Sequence, residues 1–197
     1  MKYARIRSIK KLYFGYEEIA GISGISRKSA VVSAARLVKS GLLLRLKRNL
    51  YILKERWDNL EREEGFILAN LIQSPSYISF MTALDYYEIT TQMQRDFIES
   101  AAIKRTKEVD IESHVFKYTK IDKRLYSGFS RRNGFFIATP EKAFLDILYL
   151  VSLRRYKFDP ASLDLNKLDI KKLKMLAAGF PQKTKRLLDS YGRLTKA

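Results

Sequence analysis

Few residues in this sequence are of types that could carry out a reaction, and their spacing argues against one. There is no cysteine and a single histidine, His114. No thiolate nucleophile, thiol-ligated metal or His-paired site can therefore be assembled. Asp110 and Glu112 form an acid-x-acid pair of a kind that can hold Mg²⁺, but a nuclease core would need a Glu-x-Lys one strand later. The nearest Glu-Lys, Glu141-Lys142, is adjacent and stands at a helix start, where capping explains it. Ser127-Gly128 is followed by no acidic pair, as a nucleotidyltransferase would require, and no Gly-rich phosphate loop occurs. Catalysis needs several converging groups. The expectation is a protein that is not an enzyme, with no cofactor and no metal site.

What remains is the chemistry of cations against phosphate. Net charge is +17, unevenly spread. Residues 1–57 hold 14 Lys/Arg against 3 Asp/Glu, net +11; residues 58–153 hold 12 against 14, net −2; residues 154–197 hold 12 against 4, net +8. The basic head matches a phosphate-binding footprint. In it Arg27, Lys28, Ser29, Ser33, Arg36 and Lys39 recur along one segment, followed by Arg45, Lys47 and Arg48. Small hydroxyls and long cations suit a helix entering the DNA major groove, where bulky apolar groups would obstruct. The second cluster suits a hairpin tip reaching the sugar-phosphate backbone or the minor groove.

The elements that must position these groups are legible at residues 15–53. Glu17 to Ile22 reads as a short helix and Ser23-Gly24 as a turn, with Gly24 free to take positive φ. Ser26 is placed as an N-cap, and the helix it opens runs to about Ser40 with Gly41 as its stop. Ala30, Ala34, Leu37 and Val38 make its buried stripe, with Ser29, Ser33 and Arg36 opposite. The runs LLLRL and LYIL, joined by Lys47-Arg48-Asn49, form a tight basic hairpin. Helix, turn, helix and hairpin in that order make a winged helix-turn-helix. Tyr3, Ile6, Ile9 and Leu12 read as a first helix packed on it, and Trp57 as packing at its base.

The rest is read as a second domain. Leu60 to Ile72 is helical, Ser74-Pro75-Ser76 breaks it, and Tyr77-Ile78 is extended. Ser79 is expected to cap a helix through Tyr87. Phe97–Ala102, Val115–Tyr118 and Phe135–Ala138 are strands. Thr139-Pro140-Glu141 is a helix start, with a capping hydroxyl, Pro at the first position and an acid at the positive dipole end. The helix it opens should be the most buried element, and two basic helices, Lys171 to Ala178 and Gln182 to Tyr191, close the chain. The fold class is α+β: a winged helix-turn-helix over 1–57, then a mixed α/β domain over 58–197.

Two segments, YISFMTALDYYEIT at 77–90 and FIATPEKAFLDILYL at 136–150, together with the winged module, resemble the AbiEi family of type IV antitoxins. The second segment is the more specific. The resemblance implies that Tyr77, Ser79, Thr139, Pro140, Glu141, Lys142 and Asp146 form a structural core of the second domain. It implies a repressor of its own promoter, binding double-stranded DNA at inverted repeats. It also implies a partner, a cognate nucleotidyltransferase toxin. The exposed cations Lys171, Lys172, Lys174, Lys183, Lys185 and Arg186 are the candidates for meeting that toxin or its nucleic-acid substrate. A second reading is a transcription factor whose second domain binds a small effector, with Phe80, Tyr86, Tyr87, Phe116 and Phe136 lining a pocket. A third is a nuclease using Asp110 and Glu112. No apolar run reaches membrane-spanning length, and no signal peptide is recognised at the start. A reducing, cytoplasmic setting is expected.

Overall fold

The computed structural model describes residues 2–194, with side chains for 4–191. Tyr3, expected on the first helix, lies outside the described side chains. The chain divides into two compact units, Met1–Glu64 and Gly65–Ala197.

The first unit runs α1 (Lys2–Arg7), α2 (Tyr16–Ser23), α3 (Arg27–Lys39), β1 (Leu43–Lys47), β2 (Leu50–Leu53) and α4 (Lys54–Asp58). Its core is Ile6, Phe14, Ile19, Ala30, Ala34, Leu37, Leu43, Tyr51 and Leu53. Two alanines on α3 let α2 approach closely. Phe14 adds a bridge to Tyr51, so a third chain segment pairs with the hairpin. Sequence pattern missed this because a single paired residue has no periodicity. It also missed α4, a single short helix that buries Trp57.

The second unit begins within α5 (Arg62–Ile72), which leads to β3 (Ser76–Ile78), α6 (Phe80–Tyr86), β4 (Phe97–Ala102), β5 (Lys107–Ile111), β6 (His114–Lys120), β7 (Phe129–Arg132) and β8 (Phe135–Ala138). Then come α7 (Pro140–Ser152), α8 (Ile170–Ala177) and α9 (Gln182–Leu194). The six strands form one mixed sheet in the order β5-β6-β4-β3-β8-β7. Register sorts side chains by face, since pairing partners point the same way and neighbours along a strand point oppositely. Ile78 pairs with Ile137 and Ser100, and Ser100 with Tyr118. That face is covered by α5, where Phe66 meets Phe135 edge-on and the Tyr118 hydroxyl donates to the Ala69 carbonyl at 2.7 Å. Tyr77, one residue earlier, points to the other face, where α7 lies.

The join between sheet and α7 is polar. The Tyr77 and Ser79 hydroxyls both donate to Asp146 Oδ2, at 2.9 and 2.8 Å. Lys142 Nζ donates to the Tyr77 hydroxyl at 2.7 Å and forms an ion pair with Asp146 one helical turn on. Lys142 is 1% and Asp146 0% exposed. Ser79 occupies the N-cap position of α6 but makes no capping hydrogen bond with its side chain, because its hydroxyl is spent on Asp146. Thr139 does cap α7, accepting from the Lys142 amide. Gly128, at φ +74°, lies against the Lys142 stem, where an added Cβ would come within 3.0 Å. Burial lowers the Lys142 pKa and the neighbouring Asp146 carboxylate opposes that shift.

Removing one member of a buried pair costs more than opening a cavity beside it. Asp146→Ala should cost about 3–5 kcal/mol, since it strands a buried ammonium and two hydroxyls. Leu148→Ala should cost about 2–5 kcal/mol and Thr139→Ala about 1 kcal/mol, all measured by urea unfolding. In Asp146→Ala, Lys142 keeps burial without its partner, so the unfolded chain binds more protons than the folded one below the ordinary value of 10.5. Stability of that variant should therefore rise with pH through the window between the depressed value and 10.5.

Candidate nucleic-acid interface

The exposed surface of α3 is set by which of its residues the core consumes. Ala30, Ala34 and Leu37 are buried, while Arg27, Lys28, Ser29, Arg36 and Lys39 are exposed. Ser26 caps the helix, accepting from the Ser29 amide at 3.1 Å. Gly24 at φ 62° and Gly41 at φ 73° make the turns before and after it. Two positions differ from the expected pattern. Ser33 is half-buried at the margin of the stripe rather than opposite it. Val32, 51% exposed, stands with Lys28 and Lys39 at the centre of the outward face. At 100° per residue Val32 lies nearly across the helix from Ala30, so the outward face carries a methyl-bearing side chain among cations. Ser29, Val32, Ser33 and Arg36 line a shallow groove of about 460 Å³ together with Ile6, Ser23, Ile25 and Leu37.

Arg45, Lys47 and Arg48 are exposed on the hairpin. The register slips between Arg45 and Lys47, a bulge that turns Leu46 inward and leaves both cations outward. Asn49 holds the turn at φ 57°. It also ties the turn down: its carbonyl accepts from the Tyr16 amide at 2.6 Å and its amide donates to Glu17 Oε2 at 3.3 Å. Glu17 Oε1 in turn takes Arg27 Nε at 3.0 Å. One carboxylate thus joins the start of α2, the first turn of α3 and the hairpin turn. Its own backbone amide and the Asn49 amide hold its pKa below the usual carboxylate range. Behind the hairpin the Tyr51 hydroxyl donates to Tyr16 at 3.1 Å, and burial pushes its pKa up to about 12, so it stays a donor at working pH.

The other candidates lie in the second unit. Lys171, Lys174, Lys183 and Arg186 are exposed on α8 and α9 and Lys185 is half-buried. Lys172 is engaged differently, holding the buried Glu141 at 2.9 Å. Burial would raise Glu141, but the Lys172 hydrogen bond, two backbone amides and the Lys172 charge together bring it below its ordinary value. Asp110 sits in an edge strand and Glu112 in the following turn, and no metal-holding group of three occurs among the described residues. Phe80 and Phe116 are core residues and Phe136 is exposed, so these three do not line the aromatic effector pocket of the second reading.

Arrangement and charge define a winged helix-turn-helix unit, followed by an α/β unit built on a six-stranded sheet. Residues 1–54 match the family described as transcriptional regulator, AbiEi antitoxin. The match falls on the winged unit; the segments at 77–90 and 136–150, which carried much of the resemblance in sequence, lie outside it. The chain is also similar to the solved structure of the RV2827C protein from Mycobacterium tuberculosis, with a TM-score of 0.58 over 96% of this chain and 76% of that one. Identity there is 16%, a likeness of fold. No curated protein matches. Among the described residues no helix is long and apolar enough to cross a membrane.

Asn49 is the position where local geometry and the interface meet. Asn49→Gly keeps the positive φ and loses the two ties, so it should cost about 1 kcal/mol in urea unfolding. Asn49→Ala should cost about 1 kcal/mol more, because alanine pays for the left-handed conformation.

Proposed function

We propose that the winged unit binds operator DNA and represses the chain's own promoter, and that the protein counteracts a nucleotidyltransferase toxin. The observation that carries the reading is the outward face of α3 with its basic hairpin, held in one frame by Glu17 and Asn49. The family matched by residues 1–54 supports it. Arg36 and Ser29 are the side chains for base edges, and Val32 offers apolar contact of the kind thymine methyls accept. Lys28, Lys39, Arg45, Lys47 and Arg48 are the phosphate contacts. The toxin or its nucleic-acid substrate meets Lys171, Lys174, Lys183, Lys185 and Arg186. Lys172, already paired with Glu141, is the least available of that set.

About half a dozen phosphate contacts imply a log–log salt slope near −5 for operator binding. Lys47→Ala and Arg48→Ala should weaken all sequences alike and flatten that slope. Arg36→Ala should also relax specificity by about 1–3 kcal/mol per lost base contact. Fluorescence anisotropy against operator and scrambled duplexes checks all three, and a flat salt dependence in folded protein would sink the electrostatic reading.

The two activities should also separate in the full chain. Arg36→Ala with Arg48→Ala should lose promoter repression and keep protection from the toxin. Lys171→Ala, Lys174→Ala and Arg186→Ala together should do the reverse. Growth in the presence of the toxin, scored beside a promoter reporter, reads both. Loss of protection only when repression is lost would mean that neutralisation is repression alone.

A further inference from the structure

The second unit has an open cleft of about 510 Å³ on the face of the sheet where α7 lies. Parallel pairing of β4 with β6 sets Glu99 directly beside Lys117, and Phe97, two residues before Glu99, shares their face. The segment after α7 supplies Arg155, Tyr156, Lys157 and Phe158 to the cleft, and the loop before β4 supplies Arg95. Four cations therefore line the same cleft as one carboxylate, with aromatic rings among them.

Glu99 is only 3% exposed. Its Oε2 accepts from the Tyr156 hydroxyl at 2.6 Å, and Lys117 Nζ lies 3.7 Å from Oε1. The Lys117 ammonium also sits 5.5 Å from the centre of the Phe97 ring and 5.7 Å from that of Tyr156. The Met81 backbone amide hydrogen-bonds the carboxylate as well, so beside Tyr156, Lys117 and Met81 about one of its roughly four acceptor positions is left for the cleft. Burial raises its pKa, and Tyr156, Lys117 and the Met81 amide offset this only in part. A buried carboxylate that lines an open cationic cleft is a functional-site candidate on physical grounds. The cleft also falls within the roughly 300–1,000 Å³ range of small-ligand sites.

We propose that this cleft binds a nucleoside phosphate, with Arg95, Arg155 and Lys157 taking the phosphate, Glu99 accepting N–H groups of the base and an aromatic ring stacking on it. The cations supply charge attraction for the phosphate. Glu99 alone would repel a bare anion, so it selects for a ligand that also carries donors. Arg155 is partly committed, reaching Thr106 Oγ1 at 3.5 Å, which leaves Arg95 and Lys157 as the principal phosphate groups. The site lies wholly in the second unit and is independent of the DNA reading.

The test is titration calorimetry of the full chain with guanosine 5′-monophosphate, whose base offers adjacent N–H donors, and with inorganic phosphate. The nucleotide should bind saturably and at least about tenfold more tightly than phosphate, a difference of about 1.4 kcal/mol. Arg95→Ala with Lys157→Ala, both at exposed positions, should weaken nucleotide binding about tenfold or more and leave thermal midpoint and operator affinity unchanged. Glu99→Gln should bring the nucleotide-to-phosphate ratio toward one. It should also raise the thermal midpoint at neutral pH: the folded chain holds the Glu99 proton above the ordinary 4.5, so the carboxylate's cost to stability grows as pH rises through that window. Three results would overturn the proposal. These are no saturable nucleotide binding, equal affinity for phosphate and nucleotide, or binding that the cleft variants spare and Arg36→Ala with Arg48→Ala abolishes. The last would place the ligand on the winged unit.

Discussion

The second unit depends on one buried ion pair. Lys142 and Asp146 stand a turn apart on α7, both out of water, in a position where either charge alone would be costly. Tyr77 and Ser79 from the β3–α6 junction complete the carboxylate's hydrogen bonds, and Tyr77 accepts from the ammonium. This arrangement ties one turn of α7 to the β3–α6 junction through three hydrogen bonds. It also sets requirements on its neighbours. Gly128 has no side chain because the Lys142 stem passes there, and Tyr77 stacks on Phe129 with ring centroids 4.5 Å apart. The edge strand β7 is thereby attached to the same core.

Two carboxylates on the same side of the sheet make an instructive contrast. Asp146 receives two hydroxyls and an ammonium, and its role is to hold α7 to β3. Glu99 has one hydroxyl, one backbone amide and a more distant ammonium, and it borders an open cleft rather than a packed helix face. Burial alone does not separate structure from function here. What separates them is where the buried charge stands, Asp146 against a packed helix and Glu99 in the wall of an open cleft.

In the winged unit the organising group is an exposed carboxylate. Glu17 contributes little stability of its own, as exposed ion pairs do. Its value is geometric: through Arg27 and Asn49 it relates the first turn of α3 to the hairpin turn. Two surfaces proposed to meet one duplex need a fixed relation more than they need strength. Asn49 serves the turn by its backbone and the frame by its side chain.

Local chemistry in the sequence was sufficient for the winged order, the Ser26 and Thr139 caps, the glycine turns at Gly24 and Gly41, and the burial of the helix after Thr139. Each rests on neighbours within a turn or two, where spacing is informative. The edge strands β5 and β7 were not legible, because half-exposed strands of mixed charge carry no clean alternation. The outward place of Val32 followed from how far the core reaches around α3, which composition does not reveal. Tyr77, Ser79, Lys142 and Asp146 stood out in sequence only through a resemblance. Their meeting is a tertiary event across 65 residues from Tyr77 to Lys142. The cleft at Glu99 was invisible for the same reason. Lys117 and Tyr156 come to it from 18 and 57 residues away, brought there by the parallel pairing of β4 with β6 and by the chain's return after α7. Sequence spacing determines which side chains a helix or strand presents together; only the packed sheet decides which presentations face one another.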